Sequence, residues 1–326
     1  MPTPSWFHFF RRKLPSANSV VLATSRPLLI DTGFGSDVDE TLELLSQGGV
    51  EPARLQTVIN THSHCDHVGG NAVLQGRFGC RIAAHFIDAD LVNRGDERAC
   101  DGLYLVQPVE PYRVDVSLRD GDEIDAGDVT LQVIETPGHS AGQISLYAPA
   151  EKLLICGDAV HADDVAWIDI ARSGTAAVEQ SMASIEKLAA LDVRWACSGH
   201  GRAMEDPPAA FAAALSRYEK WLTQPERIAW HACKRIFTYE LMITGPQTSA
   251  ACEAYLLGAP WFQAFARNVF ESSPQDFIGP MIDEMLRSKA ARWVDDRLTP
   301  TTPFQQPPAD WKPEYGQPTD WPGRDR

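Results

Sequence analysis

One ten-residue stretch constrains the chain before anything else does: Thr61-His62-Ser63-His64-Cys65-Asp66-His67-Val68-Gly69-Gly70. Three imidazoles and a carboxylate fall within the six residues 62–67, directly after the apolar run Thr57-Val58-Ile59-Asn60. Such spacing is hard to explain unless the side chains converge on metal from a loop between a strand and a helix, where irregular backbone lets alternate side chains point inward. Cys65 sits between the ligands and is expected to point away from them.

The same device recurs. His139 in Thr136-Pro137-Gly138-His139, Asp158 in Ile155-Cys156-Gly157-Asp158 and His200 in Cys197-Ser198-Gly199-His200 each follow an apolar strand. A glycine beside each permits the backbone angles a strand-end loop requires. Taken singly, each is an ordinary turn residue; together with the His-rich loop they form a ligand set. Five imidazoles and two carboxylates, His62, His64, His67, His139, His200, Asp66 and Asp158, suit borderline metals, Zn²⁺ first, then Fe or Mn. Seven ligands are too many for one tetrahedral ion and suit two, with one carboxylate bridging. Asp31, at the end of the apolar run Leu28-Leu29-Ile30, is either satisfied by turn amides or orients a metal-site loop.

Strands are expected at 19–24, 27–31, 54–60, 80–85, 129–136, 143–147 and 153–157, interleaved with helices at 37–45 and 175–191. Short strands alternating with helices over some two hundred residues imply sheets with helices packed outside. From Pro207 the pattern turns helical, at 209–222, 226–242, 250–257, 261–270 and 274–288, followed by a small hairpin turning at Asp295-Asp296 that gives this region a winged-helix-like ending. The expected organisation is an N-terminal extension (1–17), a catalytic domain (18–206), a helical subdomain (207–298) and a Pro-rich extended tail (299–326), either disordered or draped over the body or a partner. That tail carries Trp311 and Trp321.

The formal net charge of −15 opposes binding to nucleic acid or anionic lipid. Seven cysteines are scattered without a CxxC pair, which suits free thiols in a reducing compartment. Basic residues follow rather than precede the first aromatic cluster, the reverse of a signal peptide, and no apolar run is long enough to span a bilayer. The expectation is a cytoplasmic protein with a small-molecule substrate and no membrane partner, with the apolar helices and tail inviting a homodimer.

The order HxHxDH, then His, Asp and His, each in strand context, resembles the metallo-β-lactamase superfamily of hydrolases over residues 18–205. The resemblance implies an α+β fold, a four-layer αβ/βα sandwich with the site at one edge between the sheets. It also implies that His62, His64 and His139 hold one metal, Asp66, His67 and His200 the second, and that Asp158 bridges. Asp31, in Asp31-Thr32-Gly33, matches an early element that supports the site without binding metal. By the same resemblance the enzyme is a dinuclear zinc hydrolase in which Asp66 orients a metal-bridging hydroxide toward an ester, thioester or lactone. Glyoxalase II-like members carry Gly-Cys-Gly-Arg after the bridging Asp; Ala159-Val160-His161 stands here. Similar acyl-homoserine lactonases place a Tyr where this chain has His161. That imidazole is read as a leaving-group acid or substrate contact, or else as an exposed loop residue.

The C-terminal helices look like the appended region of a branch in which such helices cap the site. Trp167, Trp230, His231, Arg235, Phe237 and Tyr239 are candidates for the pocket wall or for ordinary helix packing, and His85 for a structural role. The alternative class is a nuclease or nucleic-acid-binding protein that grips RNA or DNA with the winged-helix-like end. A redox di-iron protein would need a flavin domain or redox segment that the sequence does not display.

Overall fold

The computed structural model describes residues 3–311, 319 and 321. Two sheets form its centre. The first runs in spatial order β1 (Phe7–Phe10), β2 (Ser19–Leu22), β3 (Leu28–Ile30), β4 (Thr57–Ile59), β5 (Arg81–His85) and β6 (Val116–Leu118). The second comprises β7 (Glu123–Asp125), β8 (Thr130–Glu135), β9 (Ile144–Ala148), β10 (Leu153–Ile155) and β11 (Trp195–Cys197), in reverse order across the sheet. β3 to β6 are parallel neighbours, as are β10 and β11, and the other pairs are antiparallel.

Alternation along the strands sorts the apolar residues into layers. Val20, Leu22, Leu28 and Ile30 meet Leu146, Leu153 and Ile155 between the sheets. The intervening Val21 and Leu29 face outward onto the helices α1 (Val38–Gln47), α2 (Cys65–Val68), α3 (Asn71–Phe78) and α4 (Phe86–Arg94), through Leu45, Val68, Leu74 and Val92. Beyond these lies α5 (Gly102–Leu105). On the far side Tyr147, Leu154 and Ala196 face α6 (Ile170–Ser173) and α7 (Ala176–Ala189). The result is the four-layer αβ/βα sandwich that the resemblance implied.

The helical region consists of α8 (Pro207–Leu222), α9 (Pro225–Thr244), α10 (Ser249–Gly258), α11 (Pro260–Asn268) and α12 (Pro274–Arg287). Its apolar faces join the same cluster as the outer face of the second sheet, with Phe211, Tyr218, Phe237, Trp261 and Phe265 buried. A small sheet of β12 (Gln247–Thr248), β13 (Ala291–Val294) and β14 (Arg297–Pro300) completes it. The hairpin turns at Asp295 and Asp296, with φ of +47° and +60°, which matches the right-handed twist of the flanking strands. Among the described residues no helix is long and apolar enough to cross a membrane. All seven cysteines are free and buried.

One expectation needs correction and another is narrowed. The described residues 3–17 are not an extension outside the catalytic domain, because Phe7–Phe10 forms the edge strand of the first sheet, in register with Ser19–Leu22. Within the tail, Trp311 packs 5.0 Å from Phe34, and Trp321 is buried against Tyr112 and donates its indole N–H to the Val109 carbonyl at 3.2 Å. The described part of the tail is therefore draped over the body; residues 312–318, 320 and 322–326 lie outside the described residues.

Glu240 on α9 is 5 % exposed, and burial raises its carboxyl from an ordinary 4.5 to about 8. The folded state keeps this proton up to about pH 8, whereas the unfolded chain releases it near 4.5. Between those values the folded state binds more protons, so stability falls as pH rises. Glu240→Gln is expected to raise the melting temperature at pH 7.5 and flatten the decline between pH 5 and 8, an effect on the order of a few kcal/mol. Thermal melts of both proteins across that range decide it; parallel curves would show that Glu240 ionises as freely folded as unfolded.

Candidate metal centre

Each chemical group sits where a strand stops. β4 runs into the loop that carries His62 and His64 and then into α2 with Asp66 and His67; β8, β10 and β11 are followed by His139, Asp158 and His200. These ends lie together at one edge of the sandwich. His62 Nε2 lies 3.0 Å from His64 Nδ1, and the His139 ring is centred 5.0 and 4.7 Å from those of His62 and His64. His200 Nε2 lies 3.1 Å from Asp66 Oδ2. Asp158 stands between the two halves, Oδ1 3.7 Å from His67 Nε2 and Oδ2 3.8 Å from His139 Nε2 and 3.4 Å from His200 Nε2. Ligand atoms of His62, His64 and His139, of His62, His67 and Asp158, and of Asp66, His67 and His200 lie within 4.8 Å of one another in each group.

Neighbouring residues set the ring orientations. Asp31, held at φ +58°, accepts from the Thr61 backbone N–H at 2.8 Å and hydroxyl at 2.7 Å, and lies 2.8 Å from His67 Nδ1. An N–H on that Nδ1 leaves Nε2 as the free lone pair facing the cluster. His139 Nδ1 donates to the Trp167 carbonyl at 2.7 Å, and the Trp167 ring stacks on His64 at 5.5 Å. Asp101 lies 3.5 Å from His64 Nε2 and is itself clamped by Arg172 at 2.7 and 3.1 Å. Beneath the motif, Gly69 allows the backbone to close on the 33–35 loop: a Cβ there would lie 2.2 Å from the Gly35 nitrogen.

The electrostatics suit cations. Burial, then the neighbouring His67, His64 and His139, hold the His62 pKa well below its ordinary value, and burial with His64 lowers that of His139 to about 3, so both rings are neutral donors. Burial also opposes a charge on His67, yet Asp31, Asp66 and Asp158 prevail and raise its pKa to about 10, so these carboxylates favour positive charge at the ring, which a metal ion at Nε2 would supply in place of the second proton. His67 Nε2 and Asp158 Oδ1 are buried without a hydrogen-bond partner among the described residues. Unpaired buried groups of this kind are costly unless an ion satisfies them. The donor set, imidazole and carboxylate, fits divalent ions of the borderline class.

The family model described as the metallo-beta-lactamase superfamily matches residues 12–200. The chain belongs to that superfamily. A hydroxyacylglutathione hydrolase of Methylococcus capsulatus is 31 % identical over 138 residues, which are 42 % of this chain and 44 % of that relative. A probable metallo-hydrolase of Methanocaldococcus jannaschii is 27 % identical over 53 % of this chain and 82 % of its own. The chain thus spans less than half the length of the first of these. Among solved structures, a metallo-beta-lactamase family protein from Thermus thermophilus shares the fold at TM-score 0.59 and 20 % identity, over 91 % of this chain and 99 % of that one. A Cronobacter sakazakii metallo-beta-lactamase motif mutant gives 0.56 and 24 %, over 70 % and 98 %.

In this superfamily member a cavity of about 820 Å³ opens over His64, Asp66, His139, Asp158 and His200. His161 is buried in its wall, Nε2 3.5 Å from Asp158 Oδ1 and without a hydrogen-bond partner among the described residues. Trp167, His231, Arg235 and Tyr239 also line it, the last three from α9, whereas Trp230 and Phe237 pack within the helical cluster against Phe270 and Tyr255. Cys65 turns into the core, toward Gln107 at 3.2 Å and Tyr239 at 3.5 Å. His85 pairs with Glu135 at 2.8 Å.

Sequence reasoning missed the segment after β1: Ala17 N–H donates to the Asp66 carbonyl at 3.1 Å and Asn18 N–H to that of Gly199 at 2.6 Å. It also missed Asp101 and Arg172. The only signal for the former was the basic run Arg11-Arg12-Lys13 beside an aromatic alternation, Phe7-His8-Phe9-Phe10.

Proposed function

We propose that the chain is a dinuclear, zinc-dependent hydrolase of a small ester, thioester or lactone. The observation that carries this reading is the convergence of three imidazole and carboxylate triads on the floor of one cavity. In this reading His62, His64 and His139 hold the first ion, Asp66, His67 and His200 the second, and Asp158 both. The names of the relatives, a hydroxyacylglutathione hydrolase and a probable metallo-hydrolase, support hydrolysis.

Divalent ions held by these residues would make hydroxide available near neutral pH and would neutralise charge developing on the substrate oxygen. Asp66 faces the cavity and accepts a hydrogen bond from the attacking water, which fixes the direction of attack. His161 Nε2 stands on the cavity side of Asp158; burial lowers the pKa of this ring, while the Asp158 carboxylate 3.5 Å away favours the imidazolium that would pass a proton to the departing oxygen or sulfur. Trp167 and α9 shield the reacting bond from bulk water, and a cavity of this size accepts a ligand of ordinary metabolite dimensions.

The test is hydrolysis of an ester, thioester and lactone panel by zinc-, iron- and manganese-loaded protein, with ions counted by elemental analysis. Turnover that disappears in Asp66→Ala supports the reading; cleavage of short RNA with no ester or thioester turnover overturns it. His161→Ala, at unchanged metal content, is expected to lower kcat for poor leaving groups by about 10²-fold and to spare activated ones. An equal effect on both classes, or none, would remove the proton-donor role.

A further inference from the structure

Although the chain carries a net charge of −15, the wall of the cavity gathers Arg11, Lys13, Arg202, Lys234 and Arg235. Three of these already have partners: Arg202 pairs with Asp163 at 2.8 Å, Lys234 with Glu284 at 3.0 Å, and Arg235 with Asp164. Arg11 and Lys13 differ. Both are exposed, both line the cavity, and among the described residues no carboxylate is in ion-pair contact with either.

Their position is fixed by Arg12 between them. Arg12 is 8 % exposed, and its guanidinium donates to the carbonyls of Thr32 and Asp37, the Thr41 hydroxyl and the Glu40 carboxylate. The same short segment continues to Ala17 and Asn18, whose N–H groups hold the Asp66 and Gly199 loops. Two cations without an ion-pair partner among the described residues are thus mounted on the backbone that also braces the metal centre. Of the acids in the wall, Asp163 pairs with Arg202 and is within the electrostatic reach of Arg11, and Asp164 pairs with both Arg217 and Arg235, so neither is left to neutralise Lys13.

Resting on the hydrolase reading above, we infer that the substrate carries an anionic group, a carboxylate or a phosphate, held by Arg11 and Lys13 at the cavity mouth. A guanidinium fork beside an ammonium matches the several acceptor oxygens of either group. A cavity of about 820 Å³ has the size of a metabolite site and accommodates a small molecule that carries such a group.

The experiment compares three thioesters with one acyl group on the zinc-loaded full chain: neutral S-acetyl-N-acetylcysteamine, the dicarboxylate S-acetylmercaptosuccinate and the phosphate-bearing acetyl-coenzyme A. One of the two anionic thioesters is expected to exceed the neutral one in kcat/KM, and which one does so names the group. In Arg11→Gln/Lys13→Gln that preference is expected to fall about tenfold, through KM, as loss of charge-assisted hydrogen bonds requires. A preference that survives in the double variant, or a wild type that prefers the neutral thioester, overturns the inference.

If none of the three is hydrolysed, only the hydrolase reading is damaged, and calorimetry with succinate and with adenosine 3′,5′-bisphosphate decides the subsite. Weaker binding to the double variant supports it, and equal binding overturns it. Tighter binding of a short RNA than of either small anion, lost in the same variant, also overturns it.

Discussion

Asp158→Ala is expected to abolish turnover, by about 10³-fold or more, and to reduce bound metal from about two ions per chain to one or none. Burial alone would keep the Asp158 carboxyl protonated, but His200, His161 and His67 hold its pKa well below the ordinary value. The charge is therefore present and shared: Oδ1 faces His67, and Oδ2 faces His139 and His200. Alanine removes the one anion that addresses both halves of the centre. Elemental analysis of folded variant, with circular dichroism as the check on folding, measures the effect. Unchanged stoichiometry would remove the bridge from the scheme.

Gly199→Ala tests the same centre by steric means. A Cβ at this position would lie 2.2 Å from Asp158 Oδ1 and 2.5 Å from His67 Cε1. The methyl group would enter the space between two proposed ligands, so metal affinity and turnover are expected to fall on the order of 10²-fold. Gly201→Ala is the matched control. Its φ of +82° makes any side chain strained, but nothing lies within 4 Å of the new Cβ. It should cost about 1 kcal/mol of stability and leave metal content intact. Full metal occupancy in Gly199→Ala would mean that Asp158 and His67 yield, and would count against a tightly packed pair.

The ligand set was legible because its logic is local. A His-rich loop and three later strand ends, each marked by glycine, needed no knowledge of packing to be read. The layers were legible for the same reason: Val20 and Leu22 alternate with Val21 as a period of two demands. The supports were not. Asp101 lies 37 positions beyond His64, in a stretch without periodicity, on a backbone where Cys100, Asp101 and Val106 adopt φ between +49° and +59°. The segment 11–18 acts largely through backbone N–H groups, which leave no mark in side-chain patterning. Trp321 packs beside Tyr112 across more than two hundred residues of chain, a distance no local pattern encodes.

The two halves of the centre are fastened to parts of the molecule that differ in cost of opening. His67 is tied through Asp31 and Thr61 to the ends of β3 and β4, in the middle of the first sheet. His64 and His139 depend on Trp167 and on the Asp101–Arg172 clamp, which belong to irregular loops and short helices. Local opening of those loops breaks far fewer contacts than unfolding the sheet does. Such an event frees the His64 side of the cluster while the His67 side stays assembled, so the protein can be half disarmed while still folded.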